Sequence, residues 1–145
     1  PLADWYTNQN STSYQNNALW GGASIVTPTS KTIFDPCPPG WRVPAWRNDI
    51  SPWNGFTKET FIWSDMNYGN TYTNGTFYPA AGYRQQGAFV TVGVGGHYFS
   101  ASASSVSQHY CHHLNFGNIN NENLYVNPSN NSARVNGLSV RCVRE

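Results

Sequence analysis

Glycine, proline, asparagine and serine recur so densely along this chain that few stretches can form three uninterrupted turns of helix. The sequence of 145 residues contains 13 glycines and 9 prolines, with short apolar runs between them. Gly and Pro destabilise helix interiors, whereas Asn and Ser favour caps and turns. We therefore predict short strands joined by loops. We expect a single domain, because the chain is too short to form two hydrophobic cores of sufficient size.

Two neighbouring segments predict a β-hairpin. Residues 88–94 are rich in β-branched side chains and end at Gly95-Gly96, a turn signal, after which residues 97–102 again read as a strand. Residues 138–142 alternate between apolar and polar side chains, which predicts a half-buried closing strand.

Residues 110–116 show the clearest alternation. Leu114 and Phe116 fall on one face of the predicted strand, and His113 and Asn115 fall on the other. Large aromatic side chains dominate burial in small domains, so we expect four of them in the core. These residues are Trp41, Trp63, Phe89 and Phe116.

The composition favours recognition of a ligand over binding of nucleic acid. Aromatic residues make up 15% of the chain and charged residues only 10%, against about 25% charged residues in an average domain. The polar surface must therefore consist of Asn, Ser, Thr and Gln, as in surfaces that bind proteins or sugars. The net charge of +1 supplies no basic stripe for nucleic acid, and no apolar run is long enough for membrane insertion.

The chain changes character along its length. All six tryptophans fall within residues 1–63, and nine asparagines fall within residues 115–136. We predict one domain, 1–145, with a scaffold half at 1–95 and a ligand-presenting half at 96–145. Low-complexity disorder is the alternative for the Asn-rich part, but apolar side chains at 124–126 interrupt it.

The three cysteines are Cys37, Cys111 and Cys142. An odd count suggests one disulfide and one free thiol, and sequence alone does not assign the pair. We favour Cys37–Cys142, because Cys37 lies in a Pro-rich turn and Cys142 in the closing segment, whereas Cys111 lies among histidines. Three reduced thiols remain the alternative.

The stretch His109-Tyr-Cys-His-His113 is the most conspicuous cluster of potential metal ligands. Residues two apart on a strand lie roughly 7 Å apart, so three of them in a row diverge from a single ion. Cys111 and its histidine neighbours alternate between faces, so their adjacency does not indicate a catalytic dyad. We expect neither a metal site nor a catalytic residue here.

The carboxylates are too sparse for glycosidase chemistry or for calcium. A glycosidase needs two of them flanking one bond, and calcium takes six to eight oxygen ligands. Only Glu122 lies in the predicted ligand-presenting half before the C-terminal residue. We therefore expect no cofactor. The seven acids are Asp4, Asp35, Asp49, Glu59, Asp65, Glu122 and Glu145.

Several motifs together resemble the Fibrobacter succinogenes major paralogous domain of Bacteroidota surface proteins. The matches cover nearly the whole chain. They are Asp4-Trp-Tyr6, Leu19-Trp-Gly-Gly22, Asp35-Pro-Cys-Pro-Pro-Gly-Trp-Arg-Val-Pro44, Tyr78-Pro-Ala-Ala-Gly-Tyr-Arg84, Gly96-His-Tyr-Phe-Ser100 and Arg134-Val-Asn-Gly-Leu-Ser-Val-Arg-Cys-Val-Arg-Glu145.

The resemblance implies an α+β, C-type-lectin-like fold with short twisted antiparallel strands, many loops and little helix. That family usually opens with a further strand and a Trp-Gly-Arg stretch not found here, so we expect upstream residues to be missing. The end of the chain also resembles the variable proteins of diversity-generating retroelements, in which ligand-facing positions vary on a fixed scaffold. The ligand-binding positions would be His97, Phe99, Ala101, Ala103, His109, Tyr110, His113, Asn115, Tyr125, Asn127, Asn130 and Asn131.

These observations lead us to expect a non-enzymatic, extracellular or cell-surface module, anchored as a lipoprotein or carried on a phage particle. It would bind a protein or glycan ligand on another cell or a phage host. A pilin-like or lipoprotein terminal domain used in surface assembly is the first alternative. A relative of the formylglycine-generating enzymes is the second, although their paired active-site cysteines have no counterpart here.

Overall fold

The computed structural model describes residues 16, 18–21, 30–46, 51–104, 109–119 and 123–145. Within these residues there is no helix, and about half of them lie in antiparallel strands. The predicted α+β, C-type-lectin-like class is therefore wrong, and the described part of the chain is all-β. The strands are β1 (Trp41–Arg42), β2 (Phe61–Ser64), β3 (Gly69–Tyr72), β4 (Phe77–Pro79), β5 (Tyr83–Gln85), β6 (Ala88–Val90), β7 (Gly95–Ala103), β8 (Tyr110–Ile119), β9 (Asn123–Ala133) and β10 (Val143–Arg144).

The longest strands form a three-stranded sheet in the order β7-β8-β9. Tyr98 pairs with Leu114, and Phe116 pairs with Val126, so their side chains lie on the same face. Leu114 and Phe116 are fully buried there, as the alternation at 110–116 predicts. This face of the sheet forms one wall of the main core.

The opposite wall is the smaller sheet β2-β3-β4. Phe61 on β2 meets Phe116 edge to face, with 4.8 Å between ring centroids. Phe56 stacks on Phe61, and Tyr78 on β4 completes the aromatic contacts. The core thus joins two sheets through aromatic rings, and Trp53, only 1% exposed, belongs to it.

Two of the four aromatic residues expected in the core are exposed. Phe89 is 77% exposed because it lies in the two-stranded β5-β6 sheet rather than in either core sheet. Trp41, in the short β1, is 45% exposed. Trp63 is partly buried against the core, and only Phe116 is fully buried as predicted.

The predicted hairpin around Gly95-Gly96 does not form. β6 pairs with β5, and both glycines lie inside β7. The chain turns earlier, at Thr91 and Gly93, which have φ angles of 57° and 79°. Gly96 is needed for another reason, because a Cβ there would overlap the ring of Phe116 on the paired strand.

Loop segments cover the free edge of β7. The amide of Phe99 donates to the carbonyl of Ser139, and the amide of Ser139 donates to the carbonyl of His97. The amide of Ala101 likewise donates a hydrogen bond to the carbonyl of Pro44. Residues 138–142 therefore run along this edge, and Ser139 forms an isolated bridge with Tyr98. The expected half-buried closing strand does not form there, and Val140 is exposed.

A disulfide joins Cys37 to Cys142, 105 residues apart, and Cys111 is a buried free cysteine. The favoured pairing is confirmed, and the alternative of three reduced thiols is wrong. The Asp35 carboxylate orders the loop by accepting the amides of Cys37 and Val43 at 2.8 and 3.0 Å. Such a link is typical of proteins from oxidising compartments.

Candidate ligand-binding face

The β7-β8-β9 sheet carries mostly polar side chains on the face that points away from the main core. His97 pairs with Asn115, which pairs with Asn127. Phe99 likewise pairs with His113, which pairs with Asn130. Directly opposed residues share a face, so these two rows run across all three strands. We call this surface, together with Tyr125 opposite Gly117, the polar face.

Two neutral histidines form the floor of the polar face. The rings of His97 and His113 stack with 5.7 Å between centroids. Tyr83 of β5 packs against His97 at 4.5 Å, and Thr91 Oγ1 lies 3.2 Å from His97 Nε2. Burial lowers the pKa of His97 to about 4, and burial together with the neighbouring His97 lowers the pKa of His113 to about 3. At neutral pH the floor is therefore uncharged.

Four of the positions that the resemblance gives as ligand-binding are buried and cannot present their side chains to a ligand. They are His97, Phe99, Ala101 and His113. Residues far away in the sequence cover them. Trp20 meets Phe99 edge to face at 5.9 Å, and Ala101 packs with Cys37 and Val43 beside the disulfide. These four side chains support the surface from beneath.

The accessible part of the polar face lies at β8 and β9. Asn127 is exposed, whereas Asn115, Tyr125 and Asn130 are half-buried. We call these four residues the accessible strip. Gly117 leaves the space that Tyr125 fills, because a Cβ there would lie 2.6 Å from the tyrosine hydroxyl.

Backbone contacts orient two asparagines of the accessible strip. The Oδ1 atom of Asn127 accepts the amide of Ser129 at 3.0 Å, and Oδ1 of Asn130 accepts the amide of Asn131 at 2.9 Å. The amide nitrogens of the two side chains therefore project as donors. The strip offers pre-oriented donors beside an aromatic ring.

Two other expected contact positions point away from this surface. Asn131 pairs with His112, and Tyr110 pairs with Ala133, so both point to the opposite side of the sheet. His109 precedes β8 and is half-buried, as is Ala103. The expected place of Asn131 on the ligand-binding face is thus wrong, and Tyr110 also faces away from the accessible strip. Conversely, no local pattern predicted that Trp20, Tyr83 and Thr91, which come from other segments, pack against this face.

The histidine and cysteine cluster does not converge on a point. His112 stacks on Trp46 at 3.8 Å on the side opposite His113, and the Cys111 thiol donates to the carbonyl of Ser132. Across the described ranges, no three His, Cys, Asp or Glu side chains are placed to hold a metal ion. The same part of the chain contains no helix long and apolar enough to cross a membrane.

No family model matches the chain, no curated protein is significantly similar to it, and no solved structure matches its fold.

Proposed function

We propose that this chain is an extracellular module that binds a macromolecular ligand through the accessible strip. The observation that carries the proposal is that the two faces of the β7-β8-β9 sheet lie in different environments. Leu114 and Phe116 are buried in the core, while Tyr125 and Asn127, from the same sheet, reach solvent on the other side. Side chains of the strip can then contact a partner without contributing to the main core.

The chemistry of the strip favours a protein or glycan partner. Tyrosine supplies a large amphipathic contact area at low entropic cost, and asparagine supplies adaptable hydrogen bonds. The buried His97–His113 pair, neutral at physiological pH, adds no charge beneath them. Recognition would therefore depend on shape and hydrogen bonding, with a weak dependence on salt.

The location outside the cell rests on the disulfide. Cys37–Cys142 would not persist in most reducing cytosols. The resemblance to variable proteins of surface-exposed or phage-borne modules agrees with this location. It would also make Tyr125, Asn127 and Asn130 exchangeable positions on a fixed scaffold.

A fluorescent tetramer of the chain tests the proposal on bacterial and host cells by flow cytometry. A triple variant with Tyr125→Ala, Asn127→Ala and Asn130→Ala should bind at least about tenfold more weakly, a change of about 1.4 kcal/mol. A matched control replaces Asn67, Thr73 and Gln85, which are exposed outside the polar face, with alanine. Equal binding by the two triple variants would contradict the proposal.

Surface assembly has one observation in its favour, because β9 is the last strand of its sheet and an edge strand can pair with another chain. Several features of β9 oppose such pairing. The side chains of Asn127 and Asn130 occupy backbone amides of this strand, and Pro128 lacks one. Concentration-dependent self-association in sedimentation velocity, abolished by proline substitution at Ser129, would favour assembly instead.

A further inference from the structure

A cleft of about 330 Å³ opens between the two core sheets, and Tyr125 of the accessible strip lies at its border. β2 and β3 contribute Trp63 and Asn70, and β8 and β9 contribute Asn118 and Leu124. Trp63 pairs with Asn70, and Asn118 pairs with Leu124, so each pair shares a face. The cleft therefore continues the space between the sheets beyond the aromatic core.

Two asparagines that line this cleft each have a buried amide oxygen without a hydrogen-bond donor. Asn70 is 2% exposed and Asn118 is 5% exposed. Asn70 Nδ2 donates to the carbonyl of Phe61 at 2.6 Å, which fixes the orientation of this amide. Among the described residues, nothing donates to Oδ1 of either asparagine. Because a buried unsatisfied acceptor costs about 1–3 kcal/mol, two in one cleft indicate a missing donor.

The rim of the cleft combines apolar and polar groups. Ile62 is 52% exposed and Leu124 is 41% exposed. The indole Nε1 of Trp63 donates to Asp65 Oδ1 at 2.6 Å, which fixes the ring at the entrance. Lys58 also lines the cleft. Its positive charge, and the small number of oxygen ligands, disfavour a cation such as calcium.

We propose that this cleft is a binding site for a small neutral saccharide. Hydroxyl groups of the sugar would donate to Oδ1 of Asn70 and of Asn118, and its apolar C–H face would pack against Trp63. The volume lies at the lower end of the range of about 300–1,000 Å³ for small-molecule sites. A site with buried acceptors discriminates strongly against ligands that lack the matching hydroxyl. This site shares Tyr125 with the accessible strip, is otherwise lined by different residues, and extends the proposed function.

Side-chain NMR signals give a direct test. D-galactose, D-mannose, L-fucose and N-acetyl-D-glucosamine are titrated separately into the nitrogen-15-labelled chain, with ethylene glycol as a control for nonspecific effects of hydroxyl groups. At least one sugar should saturably shift the Trp63 indole signal and the side-chain amide signals of Asn70 and Asn118, with a Kd of about 1–10 mM. If no sugar shifts these signals, or if ethylene glycol shifts them equally, the proposal is overturned.

Two variants separate sugar binding from simple hydration of the cleft. Asn118→Leu should lower the affinity for the sugar at least tenfold. The melting temperature of this variant should stay the same or rise, because a buried acceptor without a donor has been removed. If this variant does not fold, Leu124→Trp, at the exposed rim, should narrow the entrance and produce the same loss. The matched control Asn127→Leu, on the polar face, should keep the affinity.

Asn118 lines the cleft but does not belong to the accessible strip, so a variant at this residue separates the two proposals. Asn118→Leu should leave binding of the tetramer to cells unchanged, since Asn118 is buried on the side opposite the accessible strip. An Asn118→Leu variant that binds the sugar as tightly as the natural chain would overturn the saccharide site and leave the binding surface of the strip untouched.

Discussion

Replacing Gly96 by alanine should destabilise the chain, although alanine suits a strand better than glycine. The new Cβ would lie 2.5 Å from Cε1 and 2.8 Å from Cε2 of Phe116. That ring cannot move aside, because Phe61 and Tyr98 hold it at centroid distances of 4.8 and 6.1 Å. Overpacking costs about 1–3 kcal/mol, and the better strand propensity returns about 0.5–1 kcal/mol. We expect a net loss of up to about 2.5 kcal/mol, because the overlap with the held ring places the cost towards the upper end of its range.

A double-mutant cycle isolates this contact. In a Phe116→Leu background the ring atoms are absent, so Gly96→Ala should cost at least about 1 kcal/mol less than in the natural chain. Urea unfolding of the four proteins, with unchanged m-values, measures the difference. Gly137→Ala is the control, since its new Cβ meets only Arg84, with Cβ at 3.2 Å, at an exposed position. An equal cost of Gly96→Ala in both backgrounds would show that contact with the Phe116 ring is not the cause of the destabilisation.

Three further predictions concern the disulfide, the histidines and metal ions. Replacing Cys37 and Cys142 by serine should lower the free energy of unfolding by up to about 4–5 kcal/mol, since the bridge closes a loop of about a hundred residues. Peptide mapping under non-reducing conditions that finds Cys111 in the bridge would contradict this pairing. His97 and His113 stay neutral in the folded chain, whereas in the unfolded chain they take up protons near their usual pKa of 6.5. Stability should therefore fall as the pH drops from 6.5 towards about 4, and His113→Gln should flatten the profile of melting temperature against pH. Chelation of calcium should leave the melting temperature unchanged, because the downstream half has too few carboxylates for such a site; a drop of many degrees would show that a bound ion contributes to folding.

The alternation at 110–116 was sufficient to predict the two faces of β8. Leu114 and Phe116 lie in the core, and His113 and Asn115 lie on the other side, because the period of a strand is a local property. Exposure of the second face was not predictable in the same way. Trp20, far away in the sequence, covers part of it, and no local pattern reports such a contact.

The roles of several glycines and asparagines depend on contacts between strands and could not be predicted from the local sequence. Gly95-Gly96 is typical of a turn, yet both residues lie in β7, where Gly96 makes room for a ring on the neighbouring strand. Asn70 and Asn118 carry no motif, and they line one cleft because two different sheets face each other. The predicted α+β class failed because it came from a resemblance, whereas the residue composition itself argued against helices.

Two adjacent residues on β9 test most directly whether one face of the β7-β8-β9 sheet stabilises the core and the other binds the ligand. Binding of the tetramer to cells and the free energy of unfolding are measured together for Val126→Ala and Asn127→Ala. Val126 packs against the core, and Asn127 is exposed on the polar face. We expect Asn127→Ala to weaken binding while changing stability by less than about 0.5 kcal/mol, and Val126→Ala to reduce stability without weakening binding by the folded protein. Unchanged binding by Asn127→Ala, together with a loss of binding by stably folded Val126→Ala, would show that the polar face is not the binding surface.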